Sequence, residues 1–245
     1  MMTKHLPVSA VVAAGGRGSR LSPLTDSTPK PLLEVGGRPV IDWLLDHLVG
    51  QGIRDITVTV GYRAEQIMEH LGDGRDRGLR LRYLREEVPM GDAGVLGRPL
   101  QWNHDHLLLI NADLYTDVNV RTLYADLLAN EADMAVSSFR HEVSIPWGIL
   151  DVEEARVRSI CEKPRLVFQA NAGIYLFRRS LLSLIPLNAP YKAWNLVSDA
   201  VQAGSKIVSV PMDGYWYDIG SLAEYEKVNA LVAQQERMPD RMSAA

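Results

Sequence analysis

Short apolar runs rich in β-branched residues alternate along this chain with longer stretches whose apolar residues recur every three or four positions. Residues 9–14 (SAVVAA), 56–60 (ITVTV), 79–84, 106–111 (HLLLIN), 134–139, 171–177 and 207–210 read as strands. Residues 40–49 (VIDWLLDHLV), 64–71, 120–130, 196–203 and 221–234 read as helices, with Ser221 as the cap of the last. The almost wholly apolar run 106–111 suits a strand in a sheet covered on both faces. Strands alternating with helices imply an α/β sheet with crossover connections, whose ligands gather beyond the carboxyl ends of the strands. Residues 149–161 break the pattern and read as a hairpin or meander.

At 245 residues and 47% hydrophobic, the chain can bury a sizeable core. No repeat or low-complexity linker divides it, so the expectation is one compact domain over residues 1–237 and a flexible tail over 238–245. The net charge of −4 argues against a broad nucleic-acid face. A small phosphate ligand needs only a local group of cations. Cys161 is the single cysteine, so no internal disulfide can form and a cytoplasmic location is expected. The apolar part of the N-terminus, residues 8–14, is too short for a signal peptide. No run approaches the roughly 20 apolar residues of a membrane helix, and no membrane partner is expected.

Residues 13–33 (AAGGRGSRLSPLTDSTPKPLL) follow the first strand and are dense in glycine. Backbone of this kind can approach a ligand closely and offer N–H groups to phosphate oxygens. Lacking Gly-Lys-Ser/Thr, it is no Walker A loop, and Arg20 stands near where the dinucleotide fingerprint wants a packing glycine. Arg17, Arg20 and Lys30 surround a glycine turn in a segment stiffened by Pro23, Pro29 and Pro31. Taken alone, this fits a phosphate cradle and a strand–helix turn with solvated basic residues equally well.

The full string is more specific. Ala14-Gly15-Gly16-Arg17-Gly18-Ser19-Arg20-Leu21-Ser22-Pro23-Leu24-Thr25, followed by Pro29-Lys30-Pro31, closely resembles the signature of the sugar-1-phosphate nucleotidylyltransferases, with serine for threonine at Ser19. The resemblance continues in order along nearly the whole chain. Met90-Gly91-Asp92-Ala93-Gly94, Asn111-Ala112-Asp113 and Pro146-Trp147-Gly148 are similar to the family's G-T-A-G, N-G-D and P-Y-G. Glu162-Lys163-Pro164, Asn171-Ala172-Gly173-Ile174-Tyr175 and Trp216-Tyr217-Asp218-Ile219-Gly220 match E-K-P, N-A-G-I-Y and W-x-D-x-G. The resemblance implies a three-layer, Rossmann-like nucleotidyltransferase fold with a central mixed, mostly parallel sheet and a small sugar-binding β subregion. It implies an activity similar to that of the mannose-1-phosphate guanylyltransferase type, in which a nucleoside triphosphate and a sugar 1-phosphate give a nucleotide sugar and pyrophosphate.

By this resemblance Arg20 and Lys30 bind the triphosphate, and Lys163 holds the sugar phosphate. Ala14, Gly15, Gly16, Gly18, Ser19, Gly91, Asp92 and Asn111 form the nucleotide site. Gly148, Glu162 and Asn171 form the sugar site, and Asp113 and Asp218 share a Mg²⁺. Without it, Asp113 is as readily a turn former as a metal ligand. Asp218 sits among aromatic and apolar neighbours, an odd place for a solvated charge, and buried carboxylates need partners.

One departure bears on the base. Asp92 replaces the family's usual threonine; a carboxylate there would favour guanine, with its adjacent N1–H and N2–H₂ donors, yet it could equally cap a helix over residues 93–100. Ala112 and Trp147 are mild changes. The chain ends soon after the last motif, so a minimal transferase unit is expected, without the β-helical domain or long C-terminal extension of some relatives. The rival enzyme is a UTP- or dTTP-dependent transferase for glucose-type sugar phosphates. From another class, a non-catalytic regulatory subunit would have lost a phosphate cation or a metal carboxylate, whereas Arg20, Lys30, Asp113, Lys163 and Asp218 all stand. A homo-oligomer stays open.

Overall fold

A computed structural model describes residues 5–236. Thirteen strands and five α-helices follow one another in it: β1 Val8–Ala14, β2 Glu34–Val35, β3 Arg38–Pro39, α1 Val40–Gly50, β4 Asp55–Val60, α2 Ala64–Leu71, β5 Arg80–Arg85, β6 His106–Asn111, β7 Leu114–Thr116, α3 Val120–Ala129, β8 Met134–Ser144, β9 Ile149–Glu153, β10 Arg156–Cys161, β11 Arg165–Arg178, α4 Ala193–Gln202, β12 Ile207–Pro211, β13 Trp216–Asp218 and α5 Leu222–Glu236. Seven of the strands form one sheet in the order β12-β8-β11-β6-β1-β4-β5. Only β11 runs against its neighbours; the other pairings are parallel. The sheet is mixed and mostly parallel, as expected.

Three layers follow from the alternation of side chains along the strands. Val8, Ala10 and Val12 of β1, with Leu108 and Ile110 of β6, pack on α1, α2 and α3 through residues such as Leu44, Ile67 and Leu123. Val11, Leu107, Leu109 and Phe177 face the other way, onto Leu196 and Ala200 of α4. Burial on both faces is why β1 and β4 read as unbroken apolar or β-branched runs. Among the described residues, no helix is long and apolar enough to cross a membrane.

Ser221 caps helix α5 as expected: the Glu224 N–H donates to the Ser221 hydroxyl, which donates in turn to the Glu224 carboxylate. The hairpin expected over 149–161 is present as β9 and β10, turning at Glu154 and Ala155, both with positive φ as a two-residue turn of this kind requires. Several expectations need correcting. Residues 93–100 hold no α-helix, only a short 3₁₀ turn, Gly94–Gly97. Helix α4 begins at Ala193, where a side-chain cap from a distant loop starts it. Strands β8 and β11 extend well past the predicted ends, pairing with each other beyond the sheet from Phe139 and Ala170 to Ser144 and Arg165. Strands β2, β3, β7 and β13 are too short for any periodicity to reveal. The tail predicted over 238–245 lies outside the described residues.

A third apolar cluster fixes the site. Leu21, Leu33, Val35, Tyr115, Ile219, Val228 and Val232 pack together, tying the glycine-rich segment to α5 and to the end of β13. Ile219 is fully buried there. Ile219→Ala should cost about 2–5 kcal/mol, the range for truncating a core isoleucine. Urea denaturation checks this; a loss under about 1 kcal/mol would mean that the cluster contributes little to holding the segment.

Candidate active site

Gly18, in the left-handed region at φ 67°, turns the chain after β1 so that Lys30 returns beneath it; a Cβ on Gly18 would stand 3.0 Å from Cβ of Lys30. The Thr25 hydroxyl clamps this turn by donating to the Gly18 carbonyl at 3.0 Å. On the far side, the Tyr62 N–H donates to the Gly15 carbonyl, and Gly61 lies so close to that carbonyl that a side chain would collide with it.

Asp113 leaves the end of β6, where an α/β sheet presents its chemistry. Strands β7 and β13 pair antiparallel, setting Asp218 opposite Leu114, and the Ile219 N–H donates to the Asp113 carbonyl. Two carboxylates far apart in sequence are thereby held side by side. The Lys30 ammonium, its side chain only 12% exposed, bonds Asp113 Oδ2 and lies 3.7 Å from Asp218 Oδ1. Burial and the neighbouring Asp113 push the Asp218 carboxyl above its ordinary range, with Lys30 and Arg20 acting the other way. Oδ1 of each aspartate is buried without a hydrogen-bond partner. No group of three or more potential ligands forms among the described residues. Two carboxylates with orphaned oxygens nevertheless suit Mg²⁺, which takes one or two carboxylates and fills its sphere with water and phosphate oxygens.

Two cavities meet at this cluster. One, of about 230 Å³, is lined by Ala14, Gly16, Gly18, Ser19, Arg20 and Lys30, with Asp113 at its edge. The second, of about 570 Å³, shares Gly16, Arg20 and Asp113, and continues past Gly15, Gly91, Asp92 and Asn111. All the residues expected at the triphosphate and nucleotide therefore come together, and Asp113 with them; Asp218 joins through Lys30. The loop carrying Gly91 is laced to the segment before α4: the Ala93 N–H donates to the Tyr191 carbonyl, and the Tyr191 N–H donates to that of Met90. Gly91 has φ 75°, and a Cβ there would stand 2.5 Å from the Tyr191 carbonyl oxygen, so only glycine fits. Asp92 lines the cavity and also accepts from the Ala193 N–H at 2.6 Å, capping α4. Burial pushes its carboxyl up.

Sequence reasoning missed Thr59, Glu86, Lys192 and Trp194, which line the same cavity. Thr59 and Glu86 stand at the carboxyl ends of β4 and β5, so the rule that pointed to Asp113 could have found them. Lys192 and Trp194 come from the start of α4, and no local pattern marks them.

The residues assigned to the sugar are placed elsewhere. Gly148, Glu162 and Lys163 sit on the exposed arm formed by β9, β10 and the outer parts of β8 and β11, and line neither cavity. They do lie together: the Lys163 N–H donates to the Trp147 carbonyl, and a side chain at Gly148 would meet Glu162 Oε2 at 2.7 Å. Asn171 is engaged internally, donating to the Tyr175 hydroxyl and accepting from the Gly173 N–H, close beside Asn111.

The model of the family described as nucleotidyl transferase matches residues 9–235. The chain is 30% identical over 229 residues to a mannose-1-phosphate guanylyltransferase of Mycobacterium tuberculosis, covering 91% of this chain and 64% of that one. To a glucose-1-phosphate thymidylyltransferase of Streptomyces griseus it is 28% identical, over 93% of this chain and 66% of the relative. It thus spans somewhat under two thirds of the length of such relatives. The fold matches that of HddC from Yersinia pseudotuberculosis at a TM-score of 0.70 and 22% identity, covering 91% of this chain and 99% of the other.

The raised Asp218 carboxyl gives a prediction about stability. A carboxyl whose pKa is higher folded than unfolded holds more protons when folded, so stability falls as pH rises through that window. Asp218→Asn removes this effect. Without divalent metal, the variant's melting temperature should exceed the parent's at pH 7, and the gap should narrow as pH falls toward about 4, where an ordinary aspartate protonates. A variant that melts lower than the parent at pH 7 in chelator would contradict the assignment.

Proposed function

The chain belongs to the nucleotidyl transferase family, and on that premise we propose that it is a sugar-1-phosphate nucleotidylyltransferase. An oxygen of the sugar 1-phosphate attacks the α-phosphorus of a nucleoside triphosphate in line, forming the new P–O bond as the bond to pyrophosphate breaks. The observation that carries this reading is the Lys30 ammonium between Asp113 and Asp218, at the meeting of a glycine-lined cavity and a larger one. Phosphoryl chemistry of this kind needs positioning and charge neutralisation more than a covalent nucleophile.

Each residue then has a task. Backbone N–H groups of the Gly15–Ser19 turn receive phosphate oxygens, and Arg20 at the exposed mouth takes the departing pyrophosphate. Lys30, a compact point charge, serves the phosphates beside the reacting α-phosphorus. Asp113 and Asp218 would hold Mg²⁺, which when bound neutralises charge developing on the phosphate oxygens. Lys163 and Glu162 take the phosphate and hydroxyls of the sugar from the β arm. The first-named relative supports GTP with a mannose-type sugar 1-phosphate as the substrate pair; the thymidylyltransferase relative makes dTTP with a glucose-type sugar phosphate the pair to test against it. A cytoplasmic setting fits the lone, exposed Cys161.

Pyrophosphate release, measured over a grid of nucleoside triphosphates and sugar 1-phosphates, tests the reading. Release should need both substrates and a divalent cation, and chelation should stop it. Asp113→Asn should lower kcat by roughly 10²-fold or more, the scale for losing a main electrostatic contact; near-normal turnover would remove Asp113 from the centre.

Two further variants separate the halves of the site. Arg20→Ala should depress turnover strongly yet melt within a few degrees of the parent, because Arg20 is exposed and outside the core. A collapse in melting temperature would make it structural instead. Lys163→Ala should raise KM for the sugar phosphate far more than for the nucleotide, as loss of uniform binding does. An equal rise for both substrates would contradict the placement of the sugar phosphate.

A further inference from the structure

Beyond Phe139 and Ala170 the chain leaves the sheet as one long two-stranded ribbon. Strand β8 pairs with β11 as far as Ser144 and Arg165. The Ile145 N–H then donates to the Pro164 carbonyl and the Lys163 N–H to the Trp147 carbonyl, and β9 pairs with β10 out to the turn. No third strand joins β9 and β10 among the described residues. A two-stranded ribbon of this kind is at best marginally stable alone in water.

The register sets unlike side chains on its two faces. Val152 stands opposite Val157 and Leu150 opposite Ile160, so these four share one face. A bulge between Val157 and Ser159 supplies the extra residue that returns Ile160 to that face. The opposite face is mixed and carries Asp151, Glu153, Arg156 and Ser159. The apolar face is open: Val157 is 59% exposed and Ile160 65%. Ten of the seventeen exposed large hydrophobic side chains among the described residues fall within residues 143–168. Their exposed parts together are on the order of the 800 Å² that each partner contributes to a standard interface.

The charges decide which partner fits. Residues 140–169 carry five cationic and five anionic side chains, so the ribbon is neutral in sum. Pairs also close within it, Arg158 with Glu153 and Arg165 with Glu142 at 3.5 Å. Such a surface exerts no net pull on a nucleic acid or an anionic membrane. An apolar face with balanced charge is complementary to a second copy of itself, because a two-fold contact uses the same patch on both subunits. We propose that the outer ribbon is a dimerisation surface, with the face of Leu150, Val152, Val157 and Ile160 packed on the same face of a second copy of this chain. The contact adjoins the residues proposed for the sugar. Gly148 precedes β9, Glu162 and Lys163 follow β10, and a Cβ on Gly148 would stand 3.2 Å from Ile160 Cδ1. Dimerisation therefore steadies the ribbon that carries them, a consequence that, unlike the dimer itself, rests on the proposed function.

Sedimentation velocity of the full chain tests the dimer. The parent should sediment at twice the chain mass at micromolar concentration. Val157→Lys and, separately, Leu150→Lys should raise the dimer dissociation constant by about a hundredfold or more, the scale of leaving an unpaired charge in a dry interface. Both positions are exposed within a protomer, so circular dichroism should stay that of the parent. Val201→Lys, at an equally exposed valine of α4, should leave the dimer intact. The two monomeric variants should also show a several-fold higher KM for the sugar phosphate and an unchanged KM for the nucleotide. A dimer split by Val157→Lys in a protein without transferase activity would support this inference while overturning the proposed reaction. A parent that sediments as a monomer, or a dimer indifferent to both lysine variants, would overturn the inference. A monomeric parent that binds phosphatidylcholine vesicles, and loses them in Val157→Lys, would overturn it too and give the face to lipid.

Discussion

One ammonium ion held between two carboxylates organises the functional half of this molecule. Lys30 comes from the segment after β1, Asp113 from the end of β6, and Asp218 from β13. With the cation removed, two partly buried carboxylates would face each other at a cost of several kcal/mol in a poorly hydrated setting. Oδ1 of each aspartate is buried without a hydrogen-bond partner, although Asp218 Oδ1 faces the Lys30 ammonium at 3.7 Å, so both carboxylates keep capacity for a ligand. One ammonium against two carboxylates leaves an excess of negative charge, which suits the cluster to a cation.

The rest of the fold aims these three groups. Four residues at the cluster each have a buried apolar neighbour in the chain: Leu21 beside Arg20, Pro31 beside Lys30, Ala112 beside Asp113 and Ile219 beside Asp218. Leu21 and Ile219 belong to one cluster, so Arg20 and Asp218 are positioned by the same packing. The single antiparallel strand, β11, brings Gly173 close to Asn111 at the carboxyl end of β6, beside the larger cavity that Asn111 lines. Beyond that point β8 and β11 leave the sheet, and the arm they form is exposed on both faces. Burial therefore ends before Gly148, Glu162 and Lys163, the residues proposed for the sugar, which stand apart from the two cavities.

How much of this could be read from sequence depends on the range of the forces involved. The main strands and helices were legible because burial on one or both faces writes a period into the residues themselves, as in Val8–Ala14 and Val40–Gly50. Asp113 was legible because a residue at the end of an apolar strand has a known place in such sheets. The two-residue and three-residue strands were not, although β7 and β13 create the adjacency of Asp113 and Asp218. Asp92 shows the limit most clearly. Its residue type allows a base reader or a helix cap, and the helix it caps, α4, lies about a hundred residues further on, so no local window could reveal it. Glu86 follows β5 directly, so the strand-end rule that pointed to Asp113 could have marked it as well.

The proposed transfer is a displacement at phosphorus guided by fixed charges, with no side chain bonded to the nucleotide along the way. Transfer from a triphosphate made chiral at the α-phosphorus with sulfur, with the product's configuration assigned, tests this most directly. A single in-line attack by the sugar phosphate predicts inversion. Retention would require a covalent nucleotidyl-enzyme and a nucleophile that the cluster of Lys30, Asp113 and Asp218 was not assigned to provide, and would contradict the account.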